Sequence, residues 1–288
     1  MRVLAQRQPQ FINYILVLKP RETILLAFIG ICTALFASVG SMETGKLVMV
    51  SIALLVGSAG CNGLTNYLDR EVDAKMARTS NRVLPRGLIN PPEKALPLII
   101  GLIVIGLALS WILNPICFVF GLIGVVASSV WRKTISCTFL GIVAGCIPLL
   151  IGWFAVNNAF DIRILLICLM VAFWIPVHVW NVMLSRKQEY YNAGLYFFPL
   201  KTSEKLIKAI LLILTVLIYV TSLMLYIYGG LHLLYLVIMN IMGIALLISV
   251  ILTLFKTDRD YSWKAYKTSS FPYLGIMFLA IVIDSLVF

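Results

Sequence analysis

The sequence predicts an all-α, polytopic membrane protein: nine transmembrane helices bundled around a central cavity that opens near the cytoplasmic side. Three observations carry that prediction. Of the 288 residues, 61% are hydrophobic and only 12% charged, about half the charged share of a soluble domain. Apolar runs of roughly 20 residues, the length that crosses the hydrocarbon of a bilayer, recur from end to end. Nearly all Lys and Arg fall between those runs rather than inside them.

The spans are expected at roughly 22–40, 47–68, 95–113, 116–131, 137–156, 162–184, 207–228, 231–254 and 270–288. Short connections (41–46, 114–115, 156–161 and 229–230) alternate with long ones (69–94, 185–205 and 255–269), and 131–136 is short but basic. A charged N-terminal stretch of about 20 residues is long for a cleavable signal, so the first apolar run is expected to stay as a span. With the N-terminus inside, all 23 Lys and Arg except Lys46 and Arg163 lie on the cytoplasmic side, as the positive-inside rule requires. Nine spans then put the C-terminus outside, in a plasma membrane.

The net charge of +11 is therefore a matter of topology and of anionic head groups or substrates, not of nucleic acid. Cys32, Cys61, Cys117, Cys137, Cys146 and Cys168 are scattered singly with no CxxC. That excludes a zinc ribbon and a secreted disulfide framework.

Polar residues inside apolar runs are costly unless they face a cavity or a partner. Asn62, Asn66, Asp69 and Asp73 follow one another at spacings of four, three and four, which puts them on one helical face. Lys75, Arg78, Arg82 and Arg86 come directly behind. Oxygen ligands followed by cations suit a metal-bound polyphosphate, since Mg²⁺ prefers carboxylate and carbonyl oxygens. Arg and Lys then neutralise the remaining phosphate oxygens. The like-charged pair Asp69 and Asp73 repels unless it shares a cation.

A second face holds Trp174, His178, Asn181, Ser185 and Glu189, spaced four, three, four and four, with Pro176 placed to kink the span. His178 lies six residues, about 9 Å, inside the boundary. Alone it reads as a packed, hydrogen-bonded histidine; sharing a face with Asn181 and Glu189, it reads as the lining of a substrate cavity. Arg186, Lys187 and Glu189 add an acid-and-base cluster on the same side as Asp69. Arg132 and Lys133 read as membrane anchors or as anion contacts, and Lys19 and Arg21 as snorkelling or phosphate-binding cations. Gly141, Gly145 and Gly152 with Pro148 read as helix-contact residues.

The Asn/Asp stretch running into MARTSNRVLPRG resembles the first aspartate-rich motif of the UbiA superfamily of intramembrane prenyltransferases. Four features, in order over residues 19 to 199, resemble its protohaem IX farnesyltransferase (haem O synthase) branch: KPR at Lys19–Arg21, NYLDREVD leading into the Arg-rich loop, the G…P…GW of 145–153, and W-x-P-x-H with EYYNAG…P at 174–199. The spans over 207–288 carry no diagnostic residues, and 1–288 is expected to be one prenyltransferase domain.

The resemblance implies that Asp69 and Asp73, with Asn66 as a neutral ligand or donor, hold Mg²⁺ on an isoprenyl diphosphate. Glu189, standing where the family has Asp, is a third expected metal carboxylate. Arg78, Arg82 and Lys133 are the implied diphosphate contacts, and His178 the residue facing a porphyrin. Asn62, Asn181, Arg186 and Arg21 complete the expected substrate-binding set. Thr65 stands where the family has Asn, Val177 and Ile135 where it has Pro; Asn62 is one turn from Thr65 and placed to substitute. The implied partners are farnesyl diphosphate, haem B as substrate, membrane lipids, and a haem A synthase or terminal oxidase. A quinone precursor or glycerol-phosphate lipid is the alternative acceptor, and a cation transporter or pore the alternative class.

Overall fold

The computed structural model describes residues 9–38, 41–130, 137–255 and 259–287. Among them there is no strand. The chain runs through α1 (Gln10–Val17), α2 (Pro20–Ser38), α3 (Thr44–Leu68), α4 (Arg70–Ala74), α5 (Leu96–Leu113), α6 (Pro115–Val130) and α7 (Cys137–Phe154). It continues through α8 (Ile162–Ser185), α9 (Lys187–Asn192), α10 (Glu204–Gly229), α11 (Leu233–Phe255), α12 (Arg259–Thr268) and α13 (Phe271–Val287). Eight helical stretches among the described residues are long and apolar enough to cross a membrane, and α6, with 16 residues, is a shorter apolar ninth. The chain is a multi-pass membrane protein.

Helix ends follow local chemistry. Asp161 caps α8 by accepting from Arg163 N at 2.8 Å, and Ser203 caps α10 by accepting from Leu206 N at 3.3 Å. Gly230 closes α10 at φ 69°, the left-handed conformation that glycine adopts without a Cβ penalty. Three short helices (α4, α9, α12) stand where the hydropathy reading expects connections, and α1 stands in the stretch before the first span, because a helix of three turns or fewer leaves no run of span length to detect.

The nine long helices close into a ring: α2 touches α3, then α5, α6, α7, α8, α10, α11 and α13 follow, and α13 returns to α2. Within it α2 also packs directly on α7. Gly152 makes that contact possible, since a Cβ there would drive into the carbonyl oxygen of Gly30. Gly106 does the same for α3 and α5, where a Cβ would come 2.7 Å from Gly57 Cα. Large apolar side chains such as Ile100, Val104, Ile112, Ile213, Ile227 and Ile241 are exposed, as lipid-facing positions are.

α13 is pinned by a buried carboxylate. Asp284 is fully buried and accepts from the backbone N of His232 at 2.6 Å and of Tyr235 at 2.9 Å. Both donors lie at the first turn of α11, whose unpaired N–H groups and dipole favour a negative charge.

Candidate active site

A cavity of about 420 Å³ sits inside the ring, and its lining changes character along its length. The end nearest the long loops is polar: Lys19, Glu22, Asn62, Thr65, Asp69, Arg78, Arg82 and Tyr190 face it. Beyond them one arm runs between α3, α5 and α6, lined by Gly57, Ile103, Leu107 and Gly124. Another runs along α7, α8 and the α12–α13 region, past Gly145, Trp174, His178, Tyr266 and Leu274.

The polar end is built by folding three segments onto one helix end. Thr23 Oγ1 donates to Leu18 O at 2.6 Å and accepts from Asn62 Nδ2 at 2.9 Å. Asn66 Nδ2 donates to Val17 O at 2.9 Å. Together these bonds tie the α1–α2 corner to α3. At its apex Lys19 takes φ 50°, a left-handed conformation that costs a non-glycine residue free energy and is held only by its surroundings. Its Nζ donates to Thr65 Oγ1 at 3.2 Å. Burial, then the neighbouring Arg82 charge, push the Lys19 ammonium down to about 8, while Asp69, Asp73 and Glu22 pull the other way.

The second segment is the loop after α4. Asp73 is fully buried and pairs with Arg82 Nη1 at 2.6 Å, which turns the Arg82 guanidinium to the cavity. Thr79 Oγ1 donates to Asp73 O at 3.0 Å and fixes the loop's return. The third segment is α9. Glu189 accepts from Arg78 N at 3.4 Å and from Arg186 Nη1 at 3.5 Å, so the two loops meet across the cavity mouth. Beside them Tyr190 is buried, and that burial pushes its phenol up, against the pull of Arg78.

Several predicted positions lie elsewhere than expected. The cavity side of α3 carries Ser58, Cys61, Asn62, Thr65 and Asp69, a face centred about 50° from the Asn/Asp stripe. Asn66 and Asp73 therefore sit behind the wall, buried, while Thr65 faces the cavity beside Asn62. On α8 the lining is Val171, Trp174, Ile175, His178, Val179, Val182 and Met183. Asn181 is turned about 100° from its centre, fully buried, with Nδ2 on Val177 O at 2.7 Å. Arg21 is exposed and off the cavity, where its neighbours Lys19 and Glu22 stand instead. Arg186 is also off the cavity, stacked over Trp263 at 4.9 Å. Lys133 lies outside the described residues.

The polar residues were expected to centre each face. In both helices the centre is small or apolar, because most of what the cavity holds must be hydrocarbon. Tyr266 and Tyr190 reach the cavity unannounced: Tyr190 lay within the EYYNAG stretch, whereas nothing in RDYSWKAYKT marks Tyr266.

No group of three or more His, Cys, Asp or Glu that could hold a metal occurs among the described residues, so Asp69, Asp73 and Glu189 do not form a three-carboxylate cage. A site completed by substrate needs none, since Mg²⁺ typically takes one or two carboxylates plus phosphate oxygens and water. Asn66 Oδ1 fits such an ion: it is buried one turn before Asp69 and accepts no hydrogen bond among the described residues. The arrangement can bind a metal-bound diphosphate at the mouth and an apolar chain behind it.

Comparison with known proteins agrees with that chemistry. The model of the UbiA prenyltransferase family matches residues 24–282. The "Protoheme IX farnesyltransferase" of Desulforudis audaxviator is 34% identical over 94% of this chain and 87% of its own length. Among solved structures, one described for digeranylgeranylglyceryl phosphate synthase superposes with a TM-score of 0.80 at 19% identity, covering 97% of this chain and 99% of that one. A UbiA homologue from Archaeoglobus fulgidus bound to GPP and Mg²⁺ gives 0.65 at 14% identity, over 93% and 99%.

Proposed function

Because the chain belongs to the UbiA prenyltransferase family, we propose that it moves a farnesyl group from farnesyl diphosphate to a vinyl group of haem B, making haem O. One observation carries the reading: Lys19, Asp69, Arg78 and Arg82 converge at the mouth of an otherwise apolar cavity. The acceptor is supported by the relative named for that activity and by the W-x-P-x-H and EYYNAG motifs. The distribution of basic residues supports a cytoplasmic N-terminus, and the membrane of this reading is the plasma membrane.

In this reading Asp69, at the cavity wall, would hold Mg²⁺ on the diphosphate, with the unpartnered Asn66 Oδ1 buried behind it as the neutral oxygen that would join it and Asp73 orienting Arg82. Mg²⁺ held there would supply Lewis-acid stabilisation of the charge on departing pyrophosphate. Arg78, Arg82 and Lys19 are fixed in place before the C–O bond breaks, so they stabilise that charge without reorganising. As the bond breaks, farnesyl C1 becomes cationic and joins the terminal vinyl carbon. Water then adds to the adjacent carbon as hydroxide, and its proton is released. The apolar arms keep other water from the cation beforehand, and the Trp174 ring edges the same space. Product haem passes to a haem A synthase or terminal oxidase.

The test is incubation of membranes with haem B, farnesyl diphosphate and Mg²⁺, read by mass spectrometry. Wild-type protein yields haem O; Asp69→Ala and Asp73→Ala yield none, and chelating the metal stops wild type. Full activity in both variants would remove those carboxylates from the mechanism.

A further inference from the structure

His178 is held by the turn that joins α12 to α13, a contact the reaction scheme above does not use. Its ring is stacked between Trp174, at 4.9 Å and 13°, and Tyr266, at 4.6 Å and 33°. Trp263 extends the stack beyond Tyr266 at 4.9 Å, and Arg186 and Lys267 lie over its ring. Both faces of the imidazole are thus covered, and only its edge can meet a ligand in the cavity that His178 lines.

One ring edge is occupied by Ser269, which is fully buried. His178 Nδ1 lies 3.4 Å from Ser269 Oγ. The Ser269 hydroxyl also reaches Tyr266 O at 3.0 Å, the shorter of its two contacts; with its single proton directed there, only lone pairs are left for the imidazole. Trp174 Nε1 donates to Ser269 O at 2.6 Å, so the same residue anchors the ring stacked on His178. A partner that can only accept requires the proton on Nδ1, and the other nitrogen then carries a lone pair.

We infer that Ser269, with Tyr266, is a positioning residue that holds His178 in its Nδ1–H form, so that Nε2 offers a lone pair to an electron-accepting centre of the acceptor. The identity of that centre rests on the function proposed above: in haem B it is the iron, and histidine Nε2 is a common ligand to such metals. A catalytic role for Ser269 is not implied, since it touches His178 and not the reacting atoms.

The sequence contains two histidines, which makes the tautomer directly readable. Full-length protein labelled with ¹⁵N-histidine, in lipid bilayers, is examined by NMR with and without haem B; His232→Gln assigns the signals. Wild type is expected to show protonated Nδ1 and unprotonated Nε2 at His178, with the Nε2 signal lost or shifted on adding haem B. Ser269→Ala is expected to move most of His178 to the Nε2–H form and weaken the haem B response several-fold; Ser269→Thr, which keeps the hydroxyl, and Tyr266→Phe, which keeps the ring, restore the wild-type pattern. A thermal melt of each variant reports folding separately. Protonated Nε2 in wild type, or an unchanged tautomer in folded Ser269→Ala, would overturn the inference. So would an Nε2 signal indifferent to haem B in protein that makes haem O. Failure to make haem O, with the tautomer as stated, would instead overturn the proposed function and leave the Ser269 assignment standing.

Discussion

At the scale of single residues, the site separates groups that meet substrate from groups that aim them. Asp69 faces the cavity, whereas Asp73 is buried behind Arg82. Asp69→Asn is therefore expected to lower the rate of prenyl transfer by about 10²–10³-fold, the order lost with one preorganised electrostatic group, with little change in thermal stability. Asp73→Asn leaves Arg82 without its carboxylate partner and is expected to cost roughly 2–3 kcal/mol of stability, the order of a hydrogen bond between charged groups, as well as activity. Denaturation of the purified variants beside the mass-spectrometric assay separates the two effects; equal stability loss in both would refute the division of roles. The carboxylates and arginines were legible because charge is expensive next to hydrocarbon, and its presence announces a use. Their exact facing was not. A wheel drawn through Asn62, Asn66, Asp69 and Asp73 cannot show that Val17 O takes the Asn66 amide, or that Thr65 meets Lys19. Those bonds join residues more than 40 positions apart, and no local pattern encodes them.

At the scale of helices, two small features hold long elements together. Gly152 lets α7 lie against the backbone of α2, so Gly152→Ala is expected to destabilise by about 1–3 kcal/mol through overpacking. Gly101, where a Cβ meets nothing within 4 Å, serves as control: Gly101→Ala is expected to leave the melting temperature unchanged or slightly raised, because alanine is the better helix former. At the end of the bundle away from the cavity mouth, Asp284 receives two backbone donors from the first turn of α11. Asp284→Ala is expected to cost roughly 1–3 kcal/mol by stranding them, with Asp284→Asn in between, measured by thermal unfolding in detergent. Spans were legible because hydrocarbon thickness dictates their length. The short α12 was not, since its ten residues are polar on average. Yet it carries Tyr266 to the cavity, so the wall that faces His178 comes from a segment hydropathy marks only as a connection.

For the whole molecule, the ring of nine long helices among the described residues encloses a chamber with a charged mouth and greasy arms. That combination lets a diphosphate ionise at one end while its hydrocarbon, and the cation it becomes, stay away from water. Measuring pyrophosphate released and haem O formed in the same reconstituted-vesicle reaction, with and without haem B, tests this most directly. About one pyrophosphate per haem O is expected, with slow release in the absence of acceptor and neither product from Asp69→Ala. Pyrophosphate released at the full rate without haem B, with farnesol as the product, would contradict a chamber that shields the cation.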